Sequence, residues 1–129
     1  MIVIDSQSRQ PIYEQIVDRV ENLIAAGVLE PGSQLPSVRS LAVKLSINPN
    51  TIQKAYGILE QRGAIYPVKG KGNFVAEQEK VIERMRKNCF YQLQENVRYG
   101  KKLGIGEEEF TGKVREYYKE GRDDRDNRG

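Results

Sequence analysis

The sequence predicts a mainly α fold with one small β-hairpin, in the order helix, helix, helix, strand, strand, helix, helix. Three observations predict it. Apolar residues recur at helical spacing in three short N-terminal segments, each bounded by Pro, Gly or a small polar residue. The run Lys69-Gly70-Lys71-Gly72 separates two short β-prone segments, and its glycines suit a hairpin turn. After Ala76 the pattern changes to a single long apolar stripe, free of Pro and Gly as far as Tyr99.

Residues 1–9 read as an extended arm. Gln10 and Pro11 then open the first helix, with Pro11 where a missing N–H is harmless. Its apolar face is Ile12, Ile16, Val20, Leu23 and Ile24, widened by Tyr13 and Val17, and Gly27 stops it. Pro31-Gly32 marks a turn. The second helix starts at Pro36-Ser37, with Ser37 as cap and Val38, Leu41, Ala42 and Leu45 facing inward. Asn48 caps the third, Pro49 takes its first position, and Ile52, Ala55, Tyr56 and Leu59 repeat the buried spacing before Gly63. Strands are expected over 64–68 and 73–76.

From residue 77 the stripe Ile82, Met85, Cys89, Leu93, Val97, flanked by Val81 and Phe90, describes one face of a long helix that Gly100, Gly104 and Gly106 break. Glu107-Glu108-Glu109 places negative charge in the first turn of a last helix, lined by Phe110, Val114, Tyr117 and Tyr118. Residues 121–129 contain only Gly, Arg, Asp and Asn and read as a disordered tail. The division is therefore a three-helix unit with a hairpin over 1–76, a two-helix region over 77–120, and the tail over 121–129.

Composition narrows the chemistry. The chain has 129 residues, one cysteine and no histidine. That removes an internal disulfide, a cysteine-based zinc site and the commonest general base, and neither a metal nor a cofactor is expected. No apolar run approaches the roughly 20 residues of a membrane span. Nothing resembling a signal peptide follows Met1, so the cytoplasm is the expected address. A net charge of +3 is weak evidence for nucleic acid. Any DNA binding must come from local placement of charge.

Such placement is found over residues 35–75. Two short helices joined by a tight turn, followed by a basic hairpin, suit a surface that enters DNA grooves. The third helix begins Asn48-Pro49-Asn50-Thr51-Ile52-Gln53-Lys54. Asn and Gln pair with adenine in the major groove, while Thr, Lys and free helix-start N–H groups suit phosphates. Asn48 is better explained as a simple cap than as a DNA contact. Arg39, two residues beyond the Ser37 cap, suits guanine or a phosphate. At the hairpin tip Lys69, Gly70 and Lys71 combine charge with close backbone approach.

The residues PIYEQI (11–16), PGSQLPSVRSLA (31–42), NPNTIQKAY (48–56), LEQRGAI (59–65) and GKGNFV (70–75) resemble the winged helix-turn-helix of the GntR family of bacterial transcriptional regulators. The wording of the third helix, with a short two-helix C-terminal part, looks like the YtrA subfamily. The resemblance implies a homodimeric repressor on an inverted-repeat, double-stranded DNA operator. It implies that Arg39 reads a guanine, that Asn48, Asn50, Thr51 and Gln53 form the polar start of the recognition helix, and that Lys69, Gly70 and Lys71 form the wing. Ser37 and Lys54 complete the expected DNA-binding set. Asn73 stands where the family usually has threonine, and Lys69 where arginine is frequent, so wing contacts differ in detail.

Ile82, Met85, Cys89, Leu93, Val97, Phe110, Val114 and Tyr117 are the expected dimerisation residues. A symmetric pair of helical hairpins would bury them and set two recognition helices near 34 Å apart. Cys89 is expected in that core rather than as a redox sensor. Two other classes compete: a winged helix serving as a protein–protein module, and an enzyme using Glu107-Glu108-Glu109, which a helix start already explains. A small apolar effector between the C-terminal helices is left open.

Overall fold

The computed structural model describes the backbone of residues 2–128 and the side chains of residues 2–120. Seven elements follow in the expected order: α1 (Ile12–Ala25), α2 (Val38–Leu45), α3 (Pro49–Gln61), β1 (Ile65–Val68), β2 (Gly72–Val75), α4 (Gln78–Lys102) and α5 (Glu107–Arg128). They belong to two compact units, which meet in sequence between Arg86 and Lys87.

In the first unit α3 is the central element, packed against α1, α2 and β1. Its inward residues Ile52, Ala55, Tyr56 and Leu59 meet Ile16, Val20 and Ile24 of α1, Leu41 and Ala42 of α2, and Ile65 and Val75 of the hairpin. Each fully buried Ile, Val or Leu contributes roughly 1.5–3 kcal/mol. The turn between α2 and α3 is tight because Ser46 takes φ 55°. Ser46 N–H reaches Val43 O and Ile47 N–H reaches Ala42 O, which closes α2.

The hairpin pairs Ile65 with Val75, Tyr66 with Phe74, Pro67 with Asn73 and Val68 with Gly72. It has a third edge that the sequence does not announce. Gly32 N–H donates to Val75 O, Val75 N–H to Ser33 O, and Leu35 N–H to Asn73 O. The linker after α1 thus runs beside β2 and satisfies its free edge.

The first unit also takes in the start of α4. Val81 is buried in the winged core and Met85 packs against it. The division into compact units thus falls about ten residues beyond Ala76, with Val81 and Met85 on the winged side.

In the second unit Gly100 does not break α4, which continues to Lys102. Gly100 is buried under the ring of Phe110, where any side chain would collide with that ring. A helical glycine costs up to about 1 kcal/mol relative to alanine, and the ring contact offsets this. The reversal follows at Gly104, φ 80°, with Ile105 N–H donating to Gly100 O. Leu93, Val97, Ile105, Phe110 and Val114 line an apolar cavity of about 560 Å³ here. The tail expected to be disordered over 121–129 falls where side chains lie outside the described residues, while the backbone of α5 runs to Arg128.

Candidate nucleic-acid interface

The first unit presents three polar elements whose anchors converge on residues 34–37. Ser37 caps α2 by accepting from Ser40 N–H at 3.0 Å. The Tyr56 hydroxyl, from the buried face of α3, donates to Pro36 O at 2.7 Å. Gln34 Nε2 donates to Lys71 O, at the hairpin tip, at 2.6 Å. One short segment therefore holds the start of α2, the body of α3 and the tip of the wing. Burial pushes the Tyr56 phenol up to about 12, so it remains a donor throughout the neutral range.

The start of α3 is built as its sequence suggests. Asn48 Oδ1 accepts from Asn50 N–H at 2.8 Å, and Pro49 occupies the first helical turn. Asn48, Asn50 and Gln53 are exposed and Thr51 is half-buried. Helical periodicity carries the outer face from Asn50 to Gly57. Gly57 has open space where a side chain would stand. Lys54 is exposed but engaged, its Nζ lying 3.9 Å from the centre of the Tyr13 ring. Such a contact is worth roughly 0.5–1 kcal/mol at an exposed site, and it draws Lys54 toward α1.

Arg39 is exposed in the first turn of α2, and Lys69, Gly70 and Lys71 are exposed at the wing tip. None of these three cations forms an ion pair among the described residues. Gly70 (φ 76°) and Gly72 (φ 117°) supply the left-handed backbone the tip requires. A side chain at Gly72 would press on the Gln34 amide. The Tyr66 and Phe74 rings stack on the wing at 6.0 Å, which stiffens it. The interface residues are thus cationic, unpaired and held by buried or bridged anchors. Sequence reasoning missed the roles of Gln34, whose side-chain amide reaches a carbonyl 37 positions away, and of Pro36, whose carbonyl accepts from a hydroxyl 20 positions away.

The expected dimerisation stripe is divided. Ile82 and Met85 belong to the first unit, and Met85 is used within the chain against the winged core. Cys89, Leu93, Val97, Phe110, Val114 and Tyr117 belong to the second. Cys89 is exposed on the single chain, on the face expected to meet a second copy. Its position in the α4 sequence is apolar, but the α5 packing falls one turn or more further along, near Val97 and Gly100. Leu93, Val114 and Tyr117 are also exposed, as are Phe90, Tyr91, Tyr99 and Tyr118.

Among the described residues no helix is long and apolar enough to cross a membrane. Residues 12–75 match the family described as bacterial regulatory proteins, gntR family. The HTH-type transcriptional repressor YtrA of Bacillus subtilis (strain 168) is 46% identical over 80 residues, which are 62% of this chain. The chain spans 62% of that repressor's length. A GntR family transcriptional regulator from Listeria monocytogenes has a similar solved structure, with a TM-score of 0.66 and 40% identity, covering 88% of this chain and 98% of that one. The AraR DNA-binding domain, solved in complex with operator ORX1, superposes with a TM-score of 0.52 and 28% identity, covering 59% of this chain and 95% of that one. With its winged helix, its matched motifs and relatives that are transcription regulators rather than enzymes, this chain belongs to the GntR family of bacterial regulatory proteins, beside the YtrA-type members.

Proposed function

We propose that the chain represses transcription by binding an inverted-repeat operator as a homodimer. The observation that carries this reading is the exposed start of α3, flanked by unpaired Arg39 and by Lys69 and Lys71, all tied through residues 34–37. In this reading α3 enters the major groove. Asn50, Thr51 and Gln53 meet base edges and phosphates there, and Arg39 grips a guanine or a phosphate. Ser37, Asn48 and the free N–H groups they border lie at helix starts that suit phosphate oxygens. The wing, with Lys69, Gly70 and Lys71, approaches the neighbouring backbone or minor groove. Lys54 acts chiefly through its contact with Tyr13, which supports α3 from α1.

A second copy is the natural cover for the second unit. Leu93, Val97, Phe110 and Val114 line its apolar cavity, and four tyrosines and one phenylalanine on the same two helices are exposed. A monomer seldom leaves so much apolar surface in water. Two-fold pairing would also double the modest charge of one winged unit, since each phosphate neutralised adds to affinity. The test is a gel-shift titration on a duplex selected by the chain from a randomised pool. Arg39→Ala should cost roughly 1–3 kcal/mol on that duplex and relax preference at one base pair. An unchanged affinity would overturn the docking.

A further inference from the structure

We propose that Glu21 and Arg84 form a positioning node that sets the direction in which α4 leaves the winged unit, and thereby the half-site spacing the protein accepts. This rests on the homodimer reading above. Glu21 lies on α1 and is only 5% exposed, the one charged residue in the core among the described residues. Its Oε1 accepts from Arg62 Nη1 at 2.8 Å and its Oε2 from Arg84 Nη1 at 3.3 Å. Arg62 is the C-terminal cap of α3, and Arg84 stands in the second turn of α4. A single buried carboxylate thus holds the end of the helix proposed to read DNA and the base of the helix that leads to the partner.

The base of α4 is held on one face by contacts of different kinds. Gln78 Nε2 donates to Ala25 O at 2.9 Å, which also satisfies the end of α1. Val81 is buried in the core. Arg84 follows three residues later. The first two contacts fix the depth of α4, and the Arg84 ion pair together with Met85, packed against the core one residue further along, fixes its tilt. A helix of 25 residues is about 37 Å long. Each 10° of tilt at the base moves the far end by roughly 6 Å, close to two base-pair steps. A two-fold dimer whose α4 base is free to tilt would therefore read several spacings, and one whose base is fixed would read one.

The Arg84 and Arg62 side chains are 38% and 35% exposed, so each stays hydrated if its partner is lost. Arg84→Met keeps the aliphatic stem and leaves the Glu21–Arg62 pair in place, so the winged unit should fold normally. The experiment uses full-length protein, a duplex selected by the wild-type chain, the same duplex with half-sites moved by one or two base pairs, and an isolated half-site. Wild type should peak at one spacing. Arg84→Met should lose about tenfold at that spacing, lose less than about twofold on the half-site, and flatten the spacing profile, while sedimenting as the same dimer. Arg84→Lys should restore part of the peak. An unchanged profile, or equal loss on half-site and full site, would overturn the node alone. If the wild-type chain selects no two-part duplex, the homodimer reading falls, and the node with it.

Discussion

Replacing Tyr56 by Phe removes a single hydroxyl from the point where α3 meets α2. Tyr56 is 2% exposed, and its hydroxyl donates to Pro36 O at 2.7 Å. The ring stays in the core, so no large cavity opens. The loss is the hydrogen bond and the desolvation of the carbonyl left behind, together about 1–2 kcal/mol near pH 7. Titration supplies a second signature. Burial raises the phenol from 10.0 to about 12 in the folded chain, so the folded state holds this proton more tightly than the unfolded one. The contribution is fully present below pH 10 and is lost as pH rises from 10 through 12, by an amount on the order of 2 kcal/mol. Urea unfolding followed by helical circular dichroism, at pH 7 and in steps from pH 9 to 11.5, reads both. Other tyrosines and the lysines titrate in the same range, but they are common to both proteins, so the difference between the two curves isolates Tyr56. Wild type should lose more stability than Tyr56→Phe over the alkaline steps, and the gap between them should shrink. Equal stability at pH 7, or a gap that stays constant to pH 11.5, would refute the claim that this buried bond ties the two helices.

Other outcomes follow from separate contacts. Lys69→Ala and Lys71→Ala should each weaken binding to all sequences alike and reduce the slope of log affinity against log salt by about 1. Titration at several salt concentrations checks this, and an unaltered slope would remove the wing from the phosphates. Gly100→Ala should destabilise the second unit by roughly 1–3 kcal/mol, because the new methyl meets the Phe110 ring. Thermal unfolding measures it, and a neutral result would mean that α5 does not close on α4 at this point. Ser46→Gly should stabilise the chain by about 1 kcal/mol, since Ser46 holds φ 55°. A lower melting temperature would show that its side chain has a role the backbone does not.

The residues that betrayed their roles in the sequence act over short distances. Ser37 and Asn48 cap helices because their oxygens reach N–H groups two or three residues on, and Pro49 sits at a helix start because its ring presets φ. The wing tip was legible for the same reason, since two glycines with positive φ identify a turn without outside help. Residues whose partners lie far along the chain gave no such sign. Glu21 is one of three acids on α1 and nothing local sets it apart, yet it is buried between arginines 41 and 63 positions away. Gly100 reads as a helix breaker, yet it continues α4 because Phe110 needs the space. Cys89 shares the apolar spacing of the stripe and is exposed on the single chain, since spacing shows which face a residue occupies and not what covers it.

The sequence by itself determined the kind of protein: its element order, the polar start of α3, the arginine of α2 and the motifs that mark its family. The element order and the start of α3 follow from local propensity, capping and periodicity, which act over a single turn, and the family follows from the resemblance of its motifs. Only the tertiary structure decided where the winged unit ends, which segment completes the edge of the hairpin, and which groups hold the base of α4. Those depend on hydrogen bonds and burial between residues brought together by the fold, whose energies no stretch of neighbouring residues encodes.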